Sequence, residues 1–285
     1  MSGSDQNSPT LSTNSAGQSL TDASQLDNHY RLAQPEYDAC IAKVGIQPGW
    51  HVLDAGCGNG VFIPHIARAV GSTGMVTAVD LAPENVLAVE QFYAQARFSA
   101  RLQTRVSSLV QLPFADHTFD CTWCANVTQY LTSDELDRAI AEFVRVTKPG
   151  GVIAIKEADV TCWQFYPVDS KLLWRLLDAG VKTGSTQAIG SLRGWELLKW
   201  IRSHGIEVTL RETTLVERLS PLPAFALPFL SGLLKWLADI AQQLELSEQD
   251  KADWRSIRDS ADEILTHPDF CYREFFVLIM GKAPN

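Results

Sequence analysis

Short apolar runs alternate with amphipathic segments along most of the chain, and this alternation predicts the fold. Apolar runs of strand length occur at residues 51–55, 75–80, 104–107, 119–125 and 152–157. Short runs that are apolar throughout are typical of strands buried on both faces of a parallel sheet. The segments between them, such as 62–70, 83–96 and 133–146, have the apolar spacing of helices. The alternation therefore predicts an α/β fold with a mostly parallel sheet.

Two further strands are predicted near residues 206–212 and 273–280, the first of them after a helix at 195–204. The segments 160–194 and 220–268 interrupt the alternation, and each is long enough to form helices of its own. Ligands of open α/β sheets bind at the carboxyl ends of the strands. We therefore expect these two segments to form a helical cap over the carboxyl edge of the sheet.

The first 28 residues contain no Lys or Arg and are rich in Ser, Thr, Asn and Gln. A secretory signal needs a basic start and an apolar stretch, and a transit peptide needs arginines, so neither is indicated. This composition predicts a disordered tail over residues 1–28. Residues 29–285 are then a single domain that includes the cap segments 160–194 and 220–268.

Charge and cysteine content narrow the classes of partner. The net charge of −9 gives little counterion release on nucleic acid, which disfavours DNA or RNA as a partner. Six scattered cysteines predict reduced thiols in a cytoplasmic protein rather than a disulfide framework. Cys121 and Cys124 form a C-x-x-C within a predicted strand, where we expect core packing. The histidines form no metal-type pair, so no metal is expected.

A glycine-rich turn follows the first predicted strand directly, as Gly56-Cys57-Gly58-Asn59-Gly60. Glycine allows a tight turn and a close approach of a ligand to the main chain, and the N-terminus of the next helix favours an anionic ligand group. Asp80 ends the second strand, where its carboxylate can accept hydrogen bonds from the two hydroxyls of a ribose. The G-x-G-x-G spacing differs from the G-x-G-x-x-G of dinucleotide-binding proteins.

Four segments together carry a family resemblance: VLDAGCGNG, VTAVDLAPENV, LPFADHTFD and RVTKPGG, between Trp50 and Glu157. With them the chain resembles the class I, Rossmann-like methyltransferases, especially the ubiquinone/menaquinone C-methyltransferase group. The resemblance implies a seven-stranded sheet in which strand seven is antiparallel beside strand five and strand six lies at the edge. It also implies S-adenosylmethionine as the methyl donor and a small-molecule methyl acceptor.

The resemblance implies a donor-binding role for nine residues, which are Asp54, Gly56, Cys57, Gly58, Asp80, Leu81, Ser108, Leu109 and Asn126. By this resemblance, Asp54 and the main chain of residues 56–58 hold the methionine end, and Asp80 holds the ribose hydroxyls. Leu81 packs on the adenine, Ser108 and Leu109 form the adenine-binding turn, and Asn126 lies beside the sulfonium. Relatives usually carry Asp where this chain has Ser108, which makes that contact the weakest of the set.

Methyl transfer from a sulfonium is an in-line displacement, and an oxygen or carbon acceptor usually needs to lose a proton. Glu157 follows strand five directly, and His29 and Tyr30 precede the first strand on what can be a lid helix. These three are the predicted catalytic residues, although Glu157 could instead cap its loop. Gln129 follows strand four and is a predicted substrate contact.

Residues 219–240 are almost uncharged and approach the length of a membrane span, but three prolines and Lys235 make stable membrane insertion unexpected. Two alternatives remain for this segment: a cap helix that only seals the sheet, or the wall of an acceptor pocket. The pocket wall would comprise Phe225, Phe229 and Trp236 at helical spacing, with Trp163 and Tyr166 opposite. Such a wall selects an apolar or aromatic acceptor.

Three functions are compatible with these patterns. The first is transfer of a methyl group from S-adenosylmethionine to the oxygen, nitrogen or carbon of a small metabolite, by a monomer or homodimer. A nicotinamide-dependent oxidoreductase would share the sheet, the glycine turn and the ribose carboxylate. A methyltransferase-like binding protein without activity would have no need of an intact Asp54, Gly56, Gly58 and Asp80.

Overall fold

A computed structural model describes residues 23–285, with side chains from Leu26 onward. Its strands form one seven-stranded sheet in the order β3-β2-β1-β4-β5-β7-β6. The strands are β1 (His51–Ala55), β2 (Met75–Asp80), β3 (Arg101–Val106), β4 (Phe119–Ala125), β5 (Thr147–Tyr166), β6 (Glu207–Leu219) and β7 (Cys271–Lys282).

Strands β1 to β5 are mutually parallel where they pair, whereas β7 is antiparallel to both β5 and β6. The connections from β1 to β2, from β2 to β3 and from β4 to β5 each contain a helix, because two parallel neighbours cannot be joined by a tight turn. The prediction that strand seven is antiparallel beside strand five, with strand six at the edge, is confirmed. The carboxyl ends of β1, β2, β3 and β4 consequently meet at one edge of the sheet.

The helices of the sheet faces and of the cap follow the strands in the expected alternation. They are α1 (Ala23–Lys43), α2 (Ile63–Val70), α3 (Pro83–Ala96), α4 (Ser133–Val146), α5 (Ser170–Lys182), α6 (Thr186–Gly190), α7 (Leu197–Ser203), α8 (Leu227–Gln243), α9 (Glu248–Asp259) and α10 (Ala261–Leu265). The tail predicted for residues 1–28 lies outside the described residues as far as residue 22. From Ala23 onward the chain is helical, so residues 23–28 of the predicted tail belong to α1.

Helix α4 shows how the local sequence fixes one of these elements. Thr132 accepts a hydrogen bond from the backbone N–H of Glu135, and the Glu135 side chain accepts one from the backbone N–H of Thr132. This capping box places the N-cap at Thr132, so that the helix occupies residues 133–146 as the apolar spacing predicts. Leu136, Ile140 and the other apolar residues of α4 then face the sheet and are buried.

Each face of the sheet has its own core. Cys121 on β4 packs with the cluster that includes Val52 and Trp123, whereas Cys124 packs with the cluster on the other face. Both cysteines are at most 1% exposed, so the prediction that this C-x-x-C serves core packing is confirmed. Within residues 23–285 no group of three or more His, Cys, Asp or Glu residues is arranged to hold a metal.

The cap begins later in the chain than predicted. The segment expected to start it at residue 160 is still β5, which continues to Tyr166 because β7 pairs with it as far as Cys271. Helices α5, α8, α9 and α10 then pack on one another around a third apolar cluster. Within the described chain one helical stretch, Ala224–Gln243, is long and apolar enough to cross a membrane. Of its most apolar 18 residues, 44% are buried inside the protein.

Candidate active site

A cavity of about 1100 Å³, including its open mouth, lies at the carboxyl edge of the parallel strands. We call it the strand-end cavity. Its wall is formed by the loops after β1, β2, β3 and β4 and by the first turns of α1. The predicted residues that line it are Gly56, Cys57, Gly58, Asp80, Leu81, Ser108, Leu109, Asn126, His29 and Tyr30. Ten residues predicted from separate segments are therefore brought to one site.

The glycine turn forms the floor of the cavity with backbone that favours glycine. Gly56 has φ of 79°, and a Cβ placed there would lie 2.4 Å from a methyl carbon of Val127. Gly58 has φ of 52°, and its Cβ would lie 3.2 Å from Leu26 of α1. The backbone N–H groups of Gly56 and Cys57 both donate to the carbonyl of Val79 on β2, which holds the turn against the sheet. Both backbone conformations thus favour glycine, and at Gly56 the space beside the Cα favours it as well.

Asp80 connects the glycine turn to the loop that follows β2. Its Oδ2 accepts from the backbone N–H of Gly58 at 2.8 Å, and its Oδ1 accepts from the N–H of Ala82 at 2.9 Å and from the Asn85 amide at 3.1 Å. Burial raises the pKa of Asp80, although these three donors act in the opposite direction. The carboxylate is 8% exposed and faces the cavity, where its remaining lone pair can accept a ligand hydroxyl.

Asp54 lies behind the cavity wall rather than on it. The residue is 1% exposed, and its Oδ2 has no hydrogen-bond partner among the described residues. Burial, with a smaller contribution from the charge of Asp80, raises the pKa of Asp54 to about 7. A buried carboxylate oxygen without a donor is costly, so a donor group that reaches it from the cavity would stabilise this arrangement.

The loops after β2 and β3 form a flatter part of the wall. Leu81 is 42% exposed and offers an apolar surface at the mouth, and Leu109 is buried beside it. Ser108 accepts a 3.4 Å hydrogen bond from the backbone N–H of Val110, so its hydroxyl shapes the turn. These residues form one continuous part of the cavity wall, and their adenine-binding role stays a prediction.

Asn126 adopts a left-handed backbone with φ of 59° directly after β4. Its Oδ1 accepts from Nζ of Lys156 at 2.5 Å, and Lys156 also donates to the hydroxyl of Tyr37 at 2.7 Å. Burial lowers the pKa of Lys156 to about 8, while the charge of Glu274 acts in the opposite direction. Sequence reasoning identified Asn126 but missed Tyr37, Lys156 and Glu274, which have no local motif.

His29 and Tyr30 project from α1 into the wall of the cavity. The Nε2 atom of His29 lies 2.9 and 3.0 Å from the two carboxylate oxygens of Glu274 on β7. The hydroxyl of Tyr30 donates to Asp38 at 2.7 Å and contacts Nε2 of His65 at 2.8 Å. Burial and the bond to Asp38 raise the pKa of Tyr30, so Tyr30 is a weak candidate for proton transfer.

Glu157, a predicted catalytic residue, is 0% exposed and does not line the cavity. Its carboxylate accepts from the Thr128 hydroxyl at 2.7 Å and from the backbone N–H groups of Gln129 and Ala158. The structure supports the alternative in which Glu157 caps the loop after β4. Gln129 is likewise turned away from the cavity, and its backbone packs against Gly190 of α6.

The predicted aromatic wall of the acceptor pocket is not formed. Tyr166, Phe225 and Trp236 are 53%, 47% and 47% exposed, and none of them lines the cavity. Trp163 packs against the core of the cap. Phe229 alone approaches the site, because its ring stacks on His29 with 4.6 Å between centroids.

Comparison with known proteins matches residues 52–151 to a family described as a methyltransferase domain. Demethylmenaquinone methyltransferase of Staphylococcus aureus is 34% identical over 121 residues, which are 41% of this chain and 46% of that protein. The ubiquinone/menaquinone biosynthesis C-methyltransferase of Teredinibacter turnerae is 33% identical over 117 residues, with 41% and 46% covered. The chain spans about half the length of the curated relatives it matches.

Solved structures share the fold over most of the chain. An S-adenosylmethionine-dependent methyltransferase from Aquifex aeolicus has a TM-score of 0.52 at 19% identity and covers 92% of this chain and 99% of its own. The geranyl diphosphate C-methyltransferase of Streptomyces coelicolor has a TM-score of 0.53 at 16% identity, with 91% and 82% covered. The fold of this chain is therefore that of the Rossmann-like methyltransferases.

The residues that match the methyltransferase-domain family lie on one side of the cavity. The matched residues 52–151 include the glycine turn, Asp80 and the loops after β3 and β4. His29, Lys156 and Glu274 lie outside the matched residues. The family match therefore includes the part of the cavity that contains the glycine turn, whereas the part formed by α1 lies outside the matched residues.

Proposed function

We propose that the protein transfers a methyl group from S-adenosylmethionine to a small molecule in the strand-end cavity. The observation that carries this proposal is the shared wall formed by the left-handed glycine turn and the Asp80 carboxylate. Gly56 and Gly58 contribute backbone to the cavity wall, and Asp80 offers an acceptor for the ribose of the donor. Asp54 adds a buried, unpaired oxygen behind the same turn.

The donor supplies a methyl group that is already activated on a positively charged sulfur. The residues that would hold it are those of the glycine turn for the methionine end, Asp80 for the ribose, and Leu81 with 108–109 for the adenine. Asn126 lines the same cavity as His29 and Tyr37, whose rings contact each other. Holding two reactants in line contributes roughly 7–11 kcal/mol to lowering a barrier, so positioning is the main task of this chain.

We propose a small acceptor with an apolar or aromatic body. Leu26, Val61 and Phe62 line the cavity beside Tyr30 and Tyr37, and they give that part of the wall an apolar and aromatic surface. Relatives named as demethylmenaquinone methyltransferase and 2-phytyl-1,4-naphtoquinone methyltransferase act on acceptors of such character. The buried, unpaired state of Cys40, Cys57, Cys121 and Cys124 supports a cytoplasmic location.

Calorimetric titration with S-adenosylhomocysteine and with NAD tests the donor. We expect saturable binding of S-adenosylhomocysteine at one site and no measurable binding of NAD. Binding of NAD alone would favour the oxidoreductase alternative and contradict the proposal. Incubating labelled S-adenosylmethionine with a metabolite extract then tests activity, because a catalytically silent binding protein would retain the label on the donor.

A further inference from the structure

We propose that His29, oriented by Glu274, is the catalytic base that takes the proton of a phenolic or enolic hydroxyl on the acceptor. The proposal rests on the proposed methyl transfer and adds the class of its acceptor. Three observations carry it: the hydrogen-bond pattern of the His29 ring, the place of that ring on the cavity wall, and the charges around Glu274.

The hydrogen bonds of His29 leave one ring nitrogen for a ligand. Both oxygens of the Glu274 carboxylate lie within 3.0 Å of Nε2, and Oε2 also accepts from the hydroxyl of Tyr272 at 2.7 Å. A carboxylate can only accept, so Nε2 carries the hydrogen and the neutral ring has its lone pair on Nδ1. Among the described residues Nδ1 has no hydrogen-bond partner.

The position of the His29 ring on the cavity wall allows the hydroxyl of a methyl-acceptor molecule to reach this lone pair. His29 lines the strand-end cavity, and its side chain is 20% exposed. Phe229 stacks on one face at an interplanar angle of 11°, and Tyr37 meets the ring edge-on with centroids 5.7 Å apart. These contacts, together with the bond to Glu274, limit rotation of the imidazole and hold it in one orientation.

The electrostatic surroundings keep Glu274 charged although it is 2% exposed. Burial raises the pKa of Glu274, but His29, Tyr272 and Lys156 together hold it below its ordinary value. Arg218 on β6 is a further cation that interacts with Glu274, and Tyr37 is the other titratable group that faces the ring. An ionised Glu274 stabilises the imidazolium that forms when His29 takes a proton.

The strength of the base selects the acceptor. Imidazole is a weak base, and general-base catalysis is most effective when donor and acceptor differ little in pKa. Simple alcohols hold their protons far more tightly than phenols or enols do, whereas a thiol ionises readily without such assistance. The apolar and aromatic lining formed by Leu26, Val61 and Phe62 suits the body of a phenol. A phenolic or enolic hydroxyl therefore fits both the base and the wall.

The step balances without a further reactant. The O–H bond of the acceptor breaks as its proton forms an N–H bond with Nδ1 of His29. The electron pair left on the phenolate, at oxygen or at a conjugated carbon, forms the bond to the methyl carbon. The carbon–sulfur bond of the donor breaks with its electrons on sulfur, and the imidazolium later releases its proton to water.

The first test measures the tautomer and contacts of His29 by heteronuclear NMR of its ring nitrogens in protein saturated with S-adenosylhomocysteine. We expect hydrogen on Nε2, none on Nδ1, and a change of the Nδ1 resonance on addition of para-propylphenol. The ether para-propylanisole, which has no hydroxyl hydrogen, should leave Nδ1 unchanged. Hydrogen on Nδ1, or the same response to both compounds, would overturn the proposal.

The second test measures methyl transfer to phenol, para-propylphenol and naphthol by three variants. His29→Gln should lower turnover by about 10²–10⁴-fold while the dissociation constant for S-adenosylhomocysteine stays within about three-fold. Glu274→Gln should lower turnover and alter the tautomer balance of His29. The control is His204→Gln, because His204 directly follows α7, pairs with Asp137 of α4 at 3.3 Å and does not line the cavity.

The outcomes separate the two proposals. If wild-type protein does not bind S-adenosylhomocysteine, the proposed methyl transfer fails. If it binds but transfers methyl to none of the three phenols, or if His29→Gln has wild-type turnover, only the assignment of His29 and its acceptor class fails. A circular dichroism spectrum of each variant identifies loss of folding, and the NMR result on wild-type protein decides the question in that case.

Discussion

At the scale of single residues, the sequence identifies those side chains that end a strand or occupy a motif. Asp80 was predictable because it follows an apolar run directly, and the structure places its carboxylate on the cavity wall. The contact between Lys156 and Tyr37 could not be predicted in this way, because the two residues are 119 positions apart in the sequence. Glu157 was predicted wrongly as a cavity residue, since adjacency to a strand end does not decide which side of the loop a carboxylate faces.

Replacement of Asp80 by alanine should weaken the binding of S-adenosylmethionine by about 2–3 kcal/mol, because charge-assisted contacts to the ribose are lost. The same substitution removes the hydrogen bond from the Gly58 N–H to the Asp80 carboxylate, so the glycine turn is also less well held. Isothermal calorimetry measures the effect. Asp116→Ala is the matched control, because the Asp116 side chain is 64% exposed and pairs with Arg145 away from the cavity.

The raised pKa of Asp54 has a consequence for stability against pH. Its pKa of about 7 in the fold exceeds its ordinary 3.8, so the folded state binds the proton more tightly than the unfolded state. The free energy of unfolding therefore falls as the pH rises from about 4 to about 7. Asp54→Asn should remove this loss and stabilise the protein by at most about 4 kcal/mol at pH ~8, with little effect at pH ~4.

Urea denaturation of both proteins at the two pH values measures that difference. A variant that is equally destabilised at both values would show that Asp54 acts through packing rather than through its charge.

At the scale of elements, α8 shows why helical spacing did not identify the pocket wall. Phe225 lies in a 3-10 turn (Ala224–Ala226) that precedes α8. Positions 229 and 236 do align on one face of α8, but the buried arc of the helix is centred on Leu230 and Leu237. Phe229 lies at one edge of that arc, so residues aligned with it fall just outside and face solvent. The sequence predicted the apolar helix, whereas its rotation about its own axis depends on neighbouring helices such as α9.

Two alanine variants of α8 test this assignment of its faces. Phe229→Ala should lower the free energy of unfolding by about 3–5 kcal/mol, because a buried aromatic side chain leaves a cavity. Trp236→Ala should change it by less than about 0.5 kcal/mol, because that ring is 47% exposed. Urea denaturation compares the two. Equal losses would mean that Trp236 is covered in solution.

At the scale of the whole molecule, the sheet order was predictable because the family motifs occur in their usual sequence. The residue at which the cap begins could not be predicted from the sequence. It depends on the pairing of β5 with β7 beyond residue 160, and the paired residues are more than a hundred positions apart. The described fold contains two cores on the faces of the sheet and a third within the cap. The strand-end cavity lies where α1 and the sheet meet.

A ligand that binds only the folded protein raises its apparent stability by mass action. At a concentration of about 100 times its dissociation constant, S-adenosylhomocysteine should add about 2.7 kcal/mol to the free energy of unfolding. For a protein of this size that corresponds to a rise in Tm of several degrees, measurable by differential scanning fluorimetry. NAD at the same concentration should leave Tm unchanged, and Asp80→Ala should reduce the rise.

The place of β7 between β5 and β6 has a consequence for translation. The ribosome delivers β6 before the strand that must separate it from β5, so the nascent sheet cannot close in the order of synthesis. His29 and Glu274 are 245 positions apart, whereas the glycine turn and Asp80 emerge early and close together. In a chain that is stalled before β7, the glycine turn and Asp80 would therefore already be present. Glu274, which orients His29, would still be missing. On the proposed function, such a fragment would sequester donor without consuming it.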